Sequence, residues 1–148
     1  MTTKIHLLCD GAGRPLACTL TEGQRHEATQ TEALLDGVRV AGLAGAPRRR
    51  FEAIAGDKGY DARRVREAIE RRGGRPVIPR RGRAIAAQDG GFDRAAYRRR
   101  NVVERLVGRL KESRAVATRY EKLAACYHAF VHLACILLWL KEPFLNRA

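Results

Sequence analysis

The opening KIHLLCD, Lys4 to Asp10, alternates apolar with polar positions and is rich in Ile and Leu. The turn residues GAGRP follow, and LACTLTEG runs extended again. Two such runs around a Gly-rich turn predict a β-hairpin. From about Glu27 to Leu43 the spacing of Ala33, Leu34, Leu35, Val38 and Leu43 predicts an amphipathic helix, closed by Gly45-Ala46-Pro47. Phe51 to Ala55 is a short apolar run, and Asp61 is expected to cap a helix carrying Val65, Ala68 and Ile69. Gly73 and Gly74 should end that helix, and Arg75 to Pro79 reads as another brief strand stopped by its proline.

Arg80 to about Gly91 is rich in Gly and Arg and has no apolar period, so it is expected to be a loop. Asp93 can cap the next helix, whose apolar flank is Val103, Leu106, Val107 and Leu110. Leu123 to Lys141 is apolar nearly all round and is expected to lie as a core helix under a sheet. The order strand, strand, helix, strand, helix, strand, helix, helix predicts an α/β fold, a mixed sheet flanked by helices. Its 148 residues make one domain the working expectation.

Charge changes the picture. The 29 Lys and Arg against 16 Asp and Glu give a formal net charge of +13. Such a chain attracts polyanions through a salt-dependent affinity that does not depend on base sequence. Arginine clusters at Arg48 to Arg50, Arg80 to Arg83 and Arg98 to Arg100 point to a backbone-binding surface for nucleic acid. A membrane surface is disfavoured because the basic residues are not gathered beside an apolar anchor, and His128 and His132 interrupt the apolar C-terminal run. The start of the chain carries no export pattern, so a cytoplasmic, nucleoid-associated location is expected.

Cys9, Cys18, Cys126 and Cys135 sit in apolar runs without CxxC spacing and are read as reduced core residues. His128, His132 and Cys135 have ligand-like helical spacing, but their apolar neighbours favour a core reading, which Trp139 shares. Asp10 is read as a turn residue and His26 as the start of a helix.

The candidate chemistry lies in YRRRNVVERLVGRLK. Tyr97, Arg100, Glu104 and Lys111 fall at steps of three, four and seven, one face of a helix. A carboxylate flanked by a phenol, a guanidinium and an ammonium can hold a metal ion while its cationic neighbours hold phosphates. The competing reading is a solvated face with local ion pairs. Asp57 stands where the third strand should end, the customary ligand position of such sheets, and is the natural partner of Glu104.

Tyr97, Arg100, Glu104 and Lys111 match the spacing Tyr-x2-Arg-x3-Glu-x6-Lys of bacterial insertion-sequence transposases, and GDKGYD, Gly56 to Asp61, resembles their second-aspartate segment. With TTKIHLLCD, the chain resembles the group named after insertion sequence five. The resemblance implies a DDE transposase with an RNase H-like fold, in which Asp57 and Glu104 would be the second and third acids binding Mg2+ or Mn2+. It implies that Tyr97, Arg100 and Lys111 contact phosphates of double-stranded DNA, at the element's ends and at the target.

The family's first catalytic aspartate lies on the first strand, upstream of the segment resembling TTKIH, with which this sequence opens. The expectation is therefore a partial catalytic domain over residues 1–148, lacking its first strand and relying on an upstream transposase segment or a second copy. A frameshift product or a decayed copy would both read this way. The alternative is a catalytically inactive DNA-binding fragment that regulates the intact transposase. An RNA-binding reading lacks an aromatic stacking platform.

Overall fold

The computed structural model describes residues 2–38, 40–41, 47–48, 51–81 and 91–145. The chain is mixed α/β and divides into two compact units: one made from both chain ends, residues 1–23 and 101–148, the other from residues 24–100.

In the first unit the expected hairpin forms. β1 (Thr3–Cys9) and β2 (Pro15–Glu22) are antiparallel, with Ile5 opposite Leu20 and Leu7 opposite Cys18. The register shifts by a residue at Leu8/Cys9, next to the turn. Asp10 builds that turn as expected: its carboxylate accepts from the amides of Ala12 and Arg14, both at 2.9 Å. Gly13 has φ +83°, a conformation that needs no Cβ.

Because side chains alternate across a strand, Ile5, Leu7 and Cys9 share one face, and that face packs on a helical core. The core comes from α4 (Asn101–Lys111), α5 (Arg114–Thr118) and α6 (Ala124–Leu145). Leu106, Leu110, Val116 and Val131 are its most buried apolar members. Tyr127 satisfies its buried hydroxyl by donating to the Val116 carbonyl at 2.8 Å.

The expectation of an all-round buried α6 is corrected. Tyr127, Val131, Ala134, Cys135 and Leu138 are buried, but Leu133, Ile136, Leu137 and Leu140 are each more than half exposed. One stripe at steps of three and four is enough to close this unit's core, and the opposite face stays open among the described residues. By length and composition, with a mean hydropathy of 1.5 over Ala124–Lys141, α6 could also cross a membrane. Trp139 leaves the core as well: it is 41% exposed and donates from Nε1 to the Pro15 carbonyl at 2.7 Å. Of the thiols, Cys18 and Cys135 are buried as expected, whereas Cys126 is exposed; none is disulfide-bonded.

In the second unit the expected helix from Glu27 to Leu43 is shorter. A 3-10 turn (Glu27–Gln30) leads into α1 (Thr31–Gly37), and by Val38 the backbone is extended. Gly37 and the β-branched Val38 and Val40 break the pattern, and β3 (Val40–Ala41) pairs with β4 (Pro47–Arg48) instead. Leu43, the turn at 45–46, the arginines at 49, 50 and 83, and most of the predicted arginine-rich loop lie outside the described residues.

β5 (Ala53–Ala55) and β6 (Arg75–Val77) are parallel and are connected through α2 (Arg63–Glu70). Val65, Ala68 and Ile69 are buried as the periodicity predicts. Gly73 and Gly74 close α2 by donating to the carbonyls of Glu70 and Ile69, with Gly73 at φ +77°. The cap assigned to Asp61 is corrected: Ala62 is the N-cap, and Asp61 accepts instead from the Arg66 guanidinium at 2.7 Å and the Arg81 amide at 2.5 Å. Two guanidinium and amide partners at defined geometry outcompete one helix amide.

A single mixed sheet is not found among the described residues. β1–β2, β3–β4 and β5–β6 are separate pairs. The predicted stripe-bearing helix is also interrupted: α3 (Arg94–Arg99) and α4 are separate elements with Arg100 between them. Asp93 caps α3 as expected, accepting from the Ala96 amide at 2.8 Å.

Candidate functional site

Asp57 follows the carboxyl end of β5 by two residues and starts a 3-10 turn (Lys58–Tyr60). Gly56 continues the strand direction, its amide donating to the Val77 carbonyl at 3.2 Å. The Asp57 side chain then folds over its own loop, Oδ1 accepting from the Gly59 amide at 2.8 Å. One short polar side chain thus fixes both the loop and its own rotamer.

Glu27 comes to the same glycine from the other 3-10 turn. A β-carbon placed on Gly59 would lie 2.9 Å from Asp57 Oδ1 and 3.1 Å from Glu27 Oε2. Burial, followed by the charges of Asp57 and Glu27, pushes the adjacent Tyr60 phenol up to about 12. Glu27 was not singled out by sequence; it stands at the start of the expected first helix, ahead of the apolar positions whose spacing carries the signal.

The strand parallel to β5 delivers positive charge to the same end of the pair. Beyond β6, Arg81 donates from Nε to the Lys58 carbonyl at 2.9 Å, and its amide reaches Asp61. Arg66 holds Asp61 and also donates to the Ile78 carbonyl at 2.7 Å. Burial pulls the Asp61 carboxyl up, but the bonds from Arg66 and the Arg81 amide outweigh it and hold the group below the usual range. Arg66, Arg75 and Arg80, with Phe92 and Asp93, line a shallow concavity of about 280 Å³. It is lined by three guanidinium groups against two carboxylates, Glu70 and Asp93.

Tyr97 and Arg100 are brought together as their spacing predicts. The Arg100 guanidinium lies 5.4 Å from the centre of the Tyr97 ring, whose other neighbour is Phe92 at 5.4 Å. A guanidinium over a phenol ring gains a cation–π attraction. Both residues belong to the second unit with Asp57, whereas Glu104 and Lys111 belong to the first. Glu104 occupies the exposed side of the first turn of α4, where a carboxylate is favoured by the helix dipole, and Lys111 ends the same helix. Buried Leu106 and Leu110 orient that helix by packing its other side.

Residues 1–139 match the transposase DDE domain. The chain belongs to that family. This DDE domain is 35% identical over 137 residues to a candidate transposase for insertion sequence element IS402 of Burkholderia cepacia. That match covers 92% of the chain and 62% of the relative. It is 30% identical over 145 residues to a candidate transposase for insertion sequence element IS6501 of Brucella ovis, covering 95% of the chain and the relative's full length. The DDE domain thus spans less than two thirds of the first relative and the whole of the second. No solved structure matches it significantly.

Proposed function

We propose that residues 1–148 are a catalytic-domain portion of a DNA transposase of the group named after insertion sequence five, with an RNase H-like topology. In this reading Asp57 and Glu104 are its metal-binding acids, and Tyr97, Arg100 and Lys111 hold the phosphates of double-stranded DNA. The observation that carries it is Asp57 at the carboxyl end of a parallel strand pair, its loop pinned to arginine-bearing chain beyond β6. Glu104 at the Tyr-Arg-Glu-Lys spacing supplies the other acid, the third of the triad.

The donors fit a hard divalent cation. Asp57 and Glu104 offer only carboxylate oxygens, and Asp57 uses one lone pair on the Gly59 amide, keeping acceptor capacity for an ion. Mg2+ or Mn2+ bound there would activate the attacking oxygen and stabilise the leaving one in phosphodiester cleavage and strand transfer. Asp57 contributes a preset rotamer, because its Asx turn removes the freedom that binding would otherwise have to quench. Arg100, presented by Tyr97, and Lys111 would grip non-bridging phosphate oxygens and position the strand without reading its bases. The proposed setting is the bacterial cytoplasm, at the nucleoid, acting with a second copy or a further transposase segment.

The test is nicking of DNA carrying the element's ends in Mg2+ or Mn2+, comparing the chain with Asp57→Ala and Glu104→Ala. Metal-dependent nicking lost in both variants supports the reading. DNA binding with no cleavage by any of the three, either alone or together with the upstream transposase segment, overturns it in favour of a regulatory DNA-binding fragment.

A further inference from the structure

Cys18 on β2 and His128 and His132 on α6 converge in the first unit, although 110 residues separate the first two. One ligand atom from each lies within 4.8 Å of the others. His128 Nε2 is 3.6 Å from Cys18 Sγ, and the two imidazole centres are 4.2 Å apart, tilted by 39°. The Cys18 carbonyl is 3.2 Å from the same Nε2.

The Sγ–Nε2 distance suits a shared ion as well as it suits a weak hydrogen bond between the side chains. A tetrahedral zinc with Zn–S near 2.3 Å and Zn–N near 2.05 Å holds its sulfur and nitrogen about 3.6 Å apart. The Sγ–Nε2 separation therefore already has the length of a tetrahedral edge. His128 and His132 stand at i and i+4, so one helical turn presents both rings to the sulfur. A thiolate with two imidazoles selects zinc over the hard ions that carboxylates hold.

We propose that Cys18, His128 and His132 bind one Zn2+ that clips β2 to α6, with water in the fourth position. On binding, the Cys18 thiol releases its proton to solvent, and His128 carries its remaining ring proton on Nδ1, leaving Nε2 to the metal. His132 is exposed and gives the ion its entry from solvent. Cys135 is buried in the same core cluster as Cys18. The clip would join segments far apart in sequence, where a cross-link restricts the unfolded chain most.

The test uses the full chain, reduced and stripped of metal, titrated with Co2+ as a spectroscopic probe and then with Zn2+. The expected result is one ion per chain, a thiolate-to-cobalt charge-transfer band that Zn2+ abolishes, and a melting temperature raised by one equivalent of Zn2+. Cys18→Ser should remove the band, and His132→Asn, at an exposed position that keeps the fold, should weaken binding by more than about tenfold. Cys126→Ser should change neither. No binding by the parent chain, or a band that survives Cys18→Ser, would overturn the proposal. Equal affinity in His132→Asn would do the same.

Discussion

The carboxylates of Asp57 and Glu27 bracket Gly59 so closely that a β-carbon on the glycine would touch both, at 2.9 and 3.1 Å. Asp57 is brought there by its bond to the Gly59 amide, Glu27 by a 3-10 turn thirty residues upstream. Two negative groups are held around one point next to the half-buried phenol of Tyr60, and that arrangement responds to change in measurable ways.

Gly59→Ala should separate folding from function. The atoms a methyl group would meet are carboxylate ends, so the side chains can swing aside while the backbone stays; the cost to stability should be within about 1 kcal/mol. Asp57 would lose its fixed rotamer. Thermal unfolding of Gly59→Ala should therefore nearly overlay that of the parent chain, while Mg2+ affinity, followed by calorimetry, falls. A large loss of stability would mean the carboxylates cannot yield.

Tyr60 reports on the same charges. Its phenol is held up to about 12 by burial first and by Asp57 and Glu27 next. Asp57→Asn should lower that value without returning it to 10, because the burial contribution remains. The sign for stability follows from proton binding: between the unfolded value of 10.0 and the folded value the native state holds more protons. Tyr60 thus contributes stability that is complete below pH 10 and is lost as pH rises toward 12. Alkaline ultraviolet titration, with Tyr60→Phe to assign the signal among four tyrosines, checks both the shift and its direction.

The Asp61–Arg66 pair should be among the costly contacts to break. Its side chains are 15% and 17% exposed, and Arg66 also serves the Ile78 carbonyl while Asp61 serves the Arg81 amide. Arg66→Met strands a half-hidden carboxylate and should destabilise by about 3 kcal/mol in urea unfolding. Asp61 has a lowered folded value, so its contribution is present above its ordinary 3.8 and disappears as pH falls through the folded value. The difference between parent and variant should accordingly shrink in acid. A difference that is flat across that range would show the pair to be packing alone.

Much of this local architecture was legible in the sequence wherever periodicity or turn chemistry is strong. The hairpin around GAGRP, the buried face of α2, its Gly73–Gly74 ending and the Asp93 cap all follow from short-range rules. Where several partners compete, local rules gave out: Asp61 follows Arg66 and Arg81 and leaves the helix cap, and the long first helix yields at Gly37 to a strand. α6 was misjudged because composition says how apolar a helix is and not how much partner surface exists to cover it. In the candidate site, Tyr97, Arg100, Glu104 and Lys111 were visible through spacing and Asp57 through its strand-end position. Glu27 and the meeting of Cys18 with His128 were not, since each depends on contacts between distant segments.

Trp139 offers a probe of how α6 meets the hairpin. Its indole donates to the Pro15 carbonyl at 2.7 Å, and the Arg14 guanidinium lies 5.1 Å from the ring centre. Arg14 is itself gripped by Asp10, through Nε at 2.7 Å and Nη2 at 2.6 Å. Asp10→Asn preserves an oxygen for the turn amides but removes the charge that holds the guanidinium, so Arg14 should leave the ring. As the chain's single tryptophan, Trp139 reports this directly: its emission should move to longer wavelength as water replaces the cation. The same change should appear in the parent chain on acidification. Burial raises the Asp10 carboxyl, but the bonds from the Arg14 and Ala12 amides and the Arg14 side chain carry it below its ordinary 3.8, so the transition should fall below that pH. An Asp10→Asn spectrum identical to the parent's would place Arg14 under the control of the indole itself. Trp139→Phe, which removes the bond to Pro15, should cost about 1 kcal/mol in either case.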